Sequence, residues 1–140
     1  MKVGFIGLGK LGYPVATAMA YAGHDVMGYD IDPDNMTFDP RSYKETGPDG
    51  VEDFNDYFDR AACEGSLDFG SMAEVAQHSE VIFVAVQTPH QPRFEGTMPL
   101  PDDRADFDYT FIKAACRELA GEVDARCTDA YREVGLASSM

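Results

Sequence analysis

The chain of 140 residues carries 25 acidic and 11 basic side chains, which give a formal net charge of −14. Its length predicts a single domain that is large enough to bury a core. The negative charge disfavours binding to nucleic acids and to anionic membranes, because their phosphates would be repelled. No apolar stretch approaches the roughly 20 residues that cross a bilayer. The first apolar stretch is interrupted by glycines, unlike a signal peptide, so we expect a cytoplasmic protein.

The sequence contains no pattern of metal ligands or of paired cysteines. Its cysteines are odd in number and widely spaced, which predicts free thiols at Cys63, Cys116 and Cys127. Four aspartates between residues 102 and 108 lie in a proline-marked stretch without a histidine or a ligand spacing. We therefore expect a solvated loop there and no bound metal.

A strand, a glycine-rich turn and a helix are predicted at the start of the chain. Residues 2–7 read KVGFIG, a short apolar run, and residues 7–12 match G-x-G-x-x-G. Helical spacing follows over about residues 10–22, and a second apolar strand over residues 25–29 ends at Asp30. This is the context that the fingerprint of a dinucleotide-binding unit requires, and the alternative is a glycine-rich turn without a ligand.

Each part of this turn has a physical reason to bind a dinucleotide. Gly7 permits a tight turn, Gly9 leaves no Cβ to block a pyrophosphate, and Gly12 lets the helix pack close to the sheet. The helix start presents unpaired backbone N–H groups and the positive end of its dipole to phosphates. Asp30, 23 residues after Gly7, can accept hydrogen bonds from both adenosine ribose hydroxyls. Its charge would repel a 2′-phosphate, which favours NAD over NADP.

The following elements are predicted from periodicity and turn residues. The first helix has an apolar stripe that we expect to cover the sheet, made of Leu11, Val15, Ala18, Met19 and Ala22. Gly23 is expected to end this helix, and residues 31–50 to form a loop. A helix over residues 51–64, a short strand over residues 67–69 and a helix from a Ser71–Glu74 capping box to about residue 78 follow. We expect His78 to be solvated.

Residues 81–86 read VIFVAV, which predicts a central parallel strand covered on both faces. The carboxyl end of such a strand lies beside the cofactor crevice, so Thr88 is placed near the nicotinamide half and Pro89 fixes the turn. The alternative is that Thr88 only ends the strand. An amphipathic helix is expected over residues 109–119, with Phe111 in its apolar stripe and Cys116 on its buried face.

These segments resemble the amino-terminal domain of the UDP-glucose/GDP-mannose dehydrogenase family. The resemblance rests on VGFIGLGKLGYPVATAMAYAGHDVMGYDID at residues 3–32, VIFVAVQTP at residues 81–89 and DFDYTFIKAACREL at residues 106–119. It extends over about residues 1–120, and its most specific elements are Gly12-x-Pro14 and Thr88-Pro89. The resemblance implies NAD-dependent oxidation of the C6 alcohol of a nucleotide sugar to a carboxylate, in two steps, for uronic-acid precursors of surface polysaccharide.

The sequence departs from the family after this point. The family's later domains, with a nucleophilic cysteine, a lysine and an asparagine, are not in it, and Cys127 does not match the cysteine motif. The family's next apolar strand with a Ser-Thr-x-Pro turn is also missing. Residues 121–140 read GEVDARCTDAYREVGLASSM, which is polar and helix-like, so we expect no strand there. A sheet without its later strands would expose an edge, which makes a homodimer possible.

We therefore predict an α/β fold with a Rossmann-like parallel sheet and flanking helices, incomplete relative to the full doubly wound domain. It spans residues 1–120, followed by an atypical polar tail over residues 121–140. NAD is the expected cofactor, with candidate binding residues Gly7, Gly9, Lys10, Leu11, Gly12, Asp30, Thr88 and Pro89. A nucleotide sugar is the expected substrate only if the missing domains are supplied.

Two other functions stay open. One is a non-catalytic NAD-binding module or truncated remnant, which the missing domains favour. The other is a β-hydroxyacid dehydrogenase-like oxidoreductase, whose start is similar. Against the latter stand the 50 residues between Asp30 and Val81 and the strand end at Thr88-Pro89.

Overall fold

A computed structural model describes residues 1–37, 59, 66–89, 106–124 and 133–136. In this part of the chain, five strands form one parallel sheet: β1 (Lys2–Ile6), β2 (Asp25–Tyr29), β3 (Leu67–Phe69), β4 (Val81–Val84) and β5 (Glu133–Leu136). Helix α1 (Gly12–Tyr21) follows β1, α2 (Met72–His78) follows β3, and α3 (Thr110–Asp124) precedes β5. A 3-10 turn at Pro33–Asn35 follows β2.

The strand order across the sheet is β3-β2-β1-β4-β5. From β1 the chain moves outward to β2 and β3, and then returns to β4 on the other side of β1. A reversal of this kind opens a crevice at the carboxyl ends of the strands beside it. The predicted α/β class and the Rossmann-like parallel sheet are confirmed.

Strand β1 is buried on both faces after Lys2, as its unbroken apolar sequence predicts, whereas β4 buries Ile82 and Val84 and leaves Val81 and Phe83 half-buried. Ile6 is 2% exposed, and Ile82 and Val84 are fully buried. Phe5 and Phe83 are register partners whose ring centroids lie 5.2 Å apart in a stacked arrangement. The strand predicted over residues 81–86 is therefore central, although it ends at Val84.

One hydrophobic cluster lies on each face of the sheet. The cluster under α1 includes Val3, Phe5, Leu8, Tyr13, Ala16 and Val26. The cluster under α2 and α3 includes Ile6, Met72, Val75, Ile82, Val84 and Leu119. Helices thus cover both faces, which is the layering of a doubly wound fold.

The prediction for the buried face of α1 is wrong, because the helix buries a different set of residues. The buried residues of the helix are Gly12, Tyr13, Ala16, Thr17 and Ala20, while Val15, Ala18 and Ala22 are exposed. Gly12, Ala16 and Ala20 let the helix backbone approach the sheet closely, and the ring of Tyr13 is buried on the same face, stacked on that of Phe69 with the ring centroids 6.4 Å apart. Thr17 tolerates burial because its hydroxyl donates to the carbonyl oxygen of Tyr13 at 3.0 Å.

Gly23 ends α1 as predicted. Its φ of 90° is in the left-handed region that glycine tolerates. The N–H of Gly23 donates to the carbonyl of Ala20 at 2.9 Å, and the N–H of His24 donates to that of Met19 at 3.1 Å. These two bonds form a Schellman motif, which satisfies carbonyls at the helix end.

The capping box that begins α2 is also confirmed. The N–H of Glu74 donates to Ser71 Oγ at 3.3 Å, and Glu74 Oε2 accepts from the N–H of Ser71 at 2.7 Å. The prediction of a solvated His78 is wrong, since its side chain is 13% exposed. Its Nε2 lies 3.2 Å from the carbonyl oxygen of Asp25, so it ties the end of α2 to the start of β2.

The expectation of no strand in residues 121–140 is wrong. Glu133–Leu136 forms β5 in parallel register with β4, with Glu133 opposite Val81 and Leu136 opposite Val84. Backbone pairing with an existing strand defines this element, and a polar sequence does not prevent such pairing. Helix α3 continues to Asp124, while the division of the chain at residue 120 stays a prediction.

The buried stripe of α3 is narrower than predicted. Leu119 is buried, whereas Cys116 is half-buried and Phe111 is 54% exposed. The helix packs on α2 and β4 through one side, so Phe111, near its start, lies beyond this contact.

Some predictions lie outside the described residues. These are Cys63, Cys127 and the helix over residues 51–64, apart from Asp59, which is helical, together with residues 38–50 of the predicted loop and residues 102–105 of the acidic stretch. Within the described part, none of the helices has the length and apolar character to cross a membrane. The same residues contain no group of three or more His, Cys, Asp or Glu side chains that could hold a metal ion.

Candidate dinucleotide-binding site

A cavity of about 330 Å³ opens at the carboxyl ends of β1, β2 and β4, where the strand order reverses. Its floor is the turn after β1, and its sides are the segments that follow β2 and β4. Helices α2 and α3 close it from one face of the sheet. The described lining residues include Gly7, Gly9, Tyr29, Asp30, Ile31, Asp32, Met72, Val86, Gln87, Phe111, Ala114 and Glu118.

Two glycines of the turn are required by close contacts. Gly7 has a φ of 96°, and a Cβ there would lie 2.6 Å from the carbonyl oxygen of Ala85. A Cβ on Gly12 would collide with the carbonyl oxygen of Gly7. The turn after β1 therefore packs backbone to backbone against both α1 and the end of β4, as the glycine fingerprint predicts.

Gly9 has the opposite environment. A Cβ built on it would meet nothing within 4 Å, and the residue lines the cavity. No contact within the described residues explains a glycine at this position. An incoming ligand would explain it, because the open space lies where a pyrophosphate is expected to approach the backbone.

The start of α1 has no side-chain cap. Leu11, the residue before the helix, makes no side-chain cap bond, and the first turn contains no acidic residue. The positive end of the helix dipole therefore remains available to an anion, although the N–H of Tyr13 already donates to the carbonyl of Gly9 at 3.2 Å. Lys10 is exposed beside them.

The Asp30 carboxylate lies at the end of β2 and is 8% exposed. Its Oδ2 accepts from the N–H of Leu8 at 2.6 Å, and its Oδ1 accepts from the N–H of Asp32 at 2.9 Å. An ionised carboxylate has about four lone-pair positions. Two positions therefore remain for further donors, such as the two hydroxyls of a ribose.

Carboxylates and apolar groups dominate the cavity wall. Asp30, Asp32 and Glu118 line it, and none of its described lining residues is a lysine or an arginine. Burial raises the pKa of the Tyr29 phenol, and the charges of Glu118 and Asp30 raise it further. The wall thus presents a neutral phenol and negative charges, an environment that disfavours an additional phosphate group.

The structure brings part of the predicted set together. Gly7, Gly9 and Asp30 line the cavity. Lys10, Leu11 and Gly12 belong to the same turn and helix start but are not among the described lining residues. Thr88 is 5% exposed and Pro89 is exposed. Thr88 and Pro89 follow Gln87, which is the last residue after β4 that lines the cavity. Because neither is among the described lining residues, their roles stay predictions.

Sequence reasoning missed the α3 side of the cavity. Phe111, Ala114 and Glu118 contribute to its wall, and the i, i+3, i+4, i+7 spacing from Phe111 could have identified this face. It missed the bond between Asp30 and Leu8 as well. No spacing rule marks that contact, because it depends on how the turn lies over β2.

The fold and the cavity define a dinucleotide-binding domain of the Rossmann class. The sequence model of the UDP-glucose/GDP-mannose dehydrogenase family, NAD binding domain, matches residues 1–128. The chain belongs to this family, and its cofactor is NAD(H). It is an NAD-binding domain of the nucleotide-sugar dehydrogenase type. No curated protein matched the chain.

Solved structures of the same family have the same fold. A UDP-glucose dehydrogenase from Pyrobaculum islandicum is 26% identical, with a TM-score of 0.75 over 99% of this chain. A GDP-mannose dehydrogenase from Pseudomonas aeruginosa is 20% identical, with a TM-score of 0.76 over 100% of this chain. A UDP-D-ManNAc dehydrogenase from Pyrococcus horikoshii is 24% identical, with a TM-score of 0.70 over 99% of this chain. The chain spans 29%, 29% and 28% of these proteins, respectively.

The residues of the cavity fit NAD. The open space at Gly9 and the uncapped start of α1 suit its pyrophosphate. The unused acceptor positions of Asp30 suit the adenosine ribose. Ala114 and Val86 are apolar residues of the cavity wall, against which an adenine ring would pack.

Proposed function

We propose that this chain is the cofactor-binding part of a nucleotide-sugar 6-dehydrogenase, which oxidises the C6 alcohol of a UDP- or GDP-linked sugar to a carboxylate. Family membership over residues 1–128 carries the proposal. The 26% identical Pyrobaculum protein is a UDP-glucose dehydrogenase, which favours a UDP-linked sugar. The substrate and the reaction belong to the proposal, because the chain spans 29% of that protein.

In this proposal, the chain binds and orients the cofactor. The turn around Gly9 and the start of α1 hold the pyrophosphate through the helix dipole and backbone N–H groups. The N–H groups of Gly7 and Leu8 do not take part, because they donate to Tyr29 and Asp30. Asp30 accepts hydrogen bonds from the adenosine ribose. NAD, when bound, supplies the hydride acceptor for oxidation of the alcohol carbon.

Thr88 and Pro89 serve the nicotinamide half in this proposal. Thr88 is 5% exposed, and the carbonyl oxygen of Pro89 accepts from the N–H of Asp108 at 2.8 Å. This bond ties the turn after β4 to the segment before α3. A turn fixed in this way can hold one face of the nicotinamide in a constant orientation.

A calorimetric titration tests the cofactor role directly. The 140-residue chain is expected to bind NAD, and steady NADH production from UDP-glucose is not expected, because the family's nucleophilic cysteine belongs to a later domain. A folded chain that fails to bind NAD contradicts the proposed role. NADH production by this chain alone would contradict the assignment of catalysis to the later domains.

The dehydrogenase assignment is tested with a chimaera. Residues 1–128 replace the matching domain of the Pyrobaculum enzyme, and NADH formation with UDP-glucose is followed. We expect the chimaera to form NADH. A matched chimaera that carries Gly9→Val should not form it. A chimaera that binds both NAD and UDP-glucose but does not produce NADH would contradict the 6-dehydrogenase function.

A further inference from the structure

We propose that Asp30 is a positioning residue for the phosphate-binding turn, in addition to its contact with the ribose. Its carboxylate holds the N–H of Leu8, and through it the turn, in the geometry that receives the diphosphate. The inference rests on the proposed NAD site. It differs from the expected ribose role, because it predicts an effect on ligands that lack the ribose hydroxyls.

The contacts of the carboxylate carry this inference. The 2.6 Å bond from the N–H of Leu8 to Oδ2 is buried and joins residues that are 22 positions apart. The bond from the N–H of Asp32 fixes the other oxygen at 2.9 Å. A carboxylate held at both oxygens has a defined orientation, and a charged acceptor makes the bond to Leu8 strong.

Leu8 is attached to β2 at a second point. Its side chain is fully buried, and a Cβ on Gly28 would lie 3.0 Å from both of its methyl carbons. The N–H of Gly7 also donates to the carbonyl of Tyr29 at 2.8 Å. Three consecutive residues of the chain at the end of β2 therefore contact the turn, so β2 sets the position of the turn as much as β1 does.

Loss of the Asp30 carboxylate would leave a buried N–H without its acceptor. The N–H of Leu8 would then turn toward water or toward another acceptor, and the turn would no longer hold the open space at Gly9 in its present place in the cavity. Electrostatics alone predicts the opposite sign, because removing a negative charge from the cavity should strengthen the binding of a phosphate. A weaker diphosphate complex after this loss is therefore specific to positioning.

The test compares ADP with 2′,3′-dideoxy-ADP, which has the diphosphate but no ribose hydroxyls. Affinities are measured by calorimetry for the wild-type chain and for Asp30→Ala, Asp30→Asn and Asp32→Ala. Asp32 lines the same cavity, and its carboxylate accepts from Asp34 rather than from the turn. It is therefore a matched control for the loss of charge.

We expect Asp30→Ala to weaken dideoxy-ADP about tenfold, the effect of one lost charge-assisted bond. Asp30→Asn keeps one carbonyl oxygen, so its affinity for dideoxy-ADP should lie between those of the wild type and Asp30→Ala. Asp32→Ala should leave dideoxy-ADP binding unchanged or stronger. In the ligand-free protein, amide exchange at Leu8 should accelerate in Asp30→Ala, while exchange in β4 stays as in wild type.

The outcomes separate this inference from the proposed function. A wild-type chain that binds neither ADP nor NAD contradicts the NAD site itself. If the wild type binds both ADP and dideoxy-ADP, and Asp30→Ala weakens the binding of ADP alone, the carboxylate acts only through the ribose. The positioning role is then overturned. Equal losses in Asp30→Ala and Asp32→Ala would also overturn it, since the effect would then not depend on the bond to Leu8.

Discussion

Gly9 and Gly12 are both glycines of the same turn, but of the two the structure requires a glycine only at Gly12. A Cβ at Gly9 meets nothing, whereas one at Gly12 strikes the carbonyl oxygen of Gly7. Packing thus accounts for Gly12, whereas the proposed pyrophosphate site would account for Gly9. The fingerprint alone does not make this distinction.

A substitution at Gly9 should therefore affect NAD affinity, whereas one at Gly12 should affect stability. Gly9→Val should retain the wild-type melting temperature and lose NAD affinity by at least about tenfold, since its side chain occupies the space of the pyrophosphate. Gly12→Ala should lower stability by about 1–3 kcal/mol, because the backbone must move to admit a methyl group. Thermal unfolding and calorimetry measure both. A Gly9→Val chain that binds NAD normally would contradict the site.

Tyr29 supplies a pH-dependent contribution to stability. Its folded-state pKa lies above the ordinary value of 10.0, first because of burial and then because of Glu118 and Asp30. Folding therefore favours the neutral phenol. This contribution is complete below the unfolded-state pKa and is lost as the pH rises through the higher folded-state pKa.

The Tyr29→Phe variant tests this contribution. Its free energy of unfolding should fall less steeply than that of the wild type as the pH rises above about 10, where an ordinary tyrosine ionises. In a titration followed by phenolate absorbance, Tyr29→Phe should lack a component that ionises at high pH in the wild type. Tyr109→Phe is the comparison, since a hydrogen bond to Asp106 raises the pKa of Tyr109 at an exposed site. Identical slopes for wild type and Tyr29→Phe would contradict the assignment.

At the scale of whole elements, the glycine that ends α1 and a glycine inside α3 form a matched pair. A Cβ on Gly23 or on Gly121 would meet nothing within 4 Å. Of these two glycines, only Gly23 has a positive φ, of 90°. Any difference between alanine substitutions at the two sites therefore reports backbone conformation alone.

We expect Gly23→Ala to destabilise the chain by about 1 kcal/mol, because alanine is strained in the left-handed region. Gly121→Ala should stabilise it by about 0.5–1 kcal/mol through helix propensity. Chemical denaturation of both variants gives the two values. A stabilising Gly23→Ala would mean that the Schellman end of α1 does not hold in solution.

Elements with local signals were predictable, and those determined by distant contacts were not. The capping box at Ser71 and the C-terminal glycine of α1 depend on neighbouring residues, so the sequence indicates them directly. The buried face of α1 depends on how closely its backbone approaches the sheet. The apolar stripe through Val15 was therefore misleading, and the face that carries Tyr13 and the small residues Ala16 and Ala20 is buried instead.

The cavity shows the same division. The turn at Gly7 and the strand ending at Asp30 were predictable because a known chemical task imposes their spacing. The wall formed by Phe111 and Glu118 comes from a helix about 80 positions further along the chain, and only the packed fold shows that it faces Tyr29. The tail is the clearest failure, because β5 is defined by its pairing with β4 and not by its own composition.

At the scale of the whole molecule, β5 covers an edge that would otherwise expose the core strand β4. Ile82 and Val84 of β4 are fully buried, and all four residues of β4 have register partners in β5. An uncovered edge of this kind presents free backbone donors and acceptors beside apolar side chains, and it promotes pairing between chains.

A chain that ends at Thr128, where the family match ends, lacks β5 and tests this role. We expect it to have a lower melting temperature than the 140-residue chain and to self-associate as its concentration rises, because β4 then becomes an edge strand. Sedimentation analysis of both chains over the same concentration range measures the difference. NAD binding by the fraction that remains monomeric should persist, since β5 contributes no described residue to the cavity wall. A shortened chain with unchanged stability and no self-association would mean that β5 does not protect the sheet.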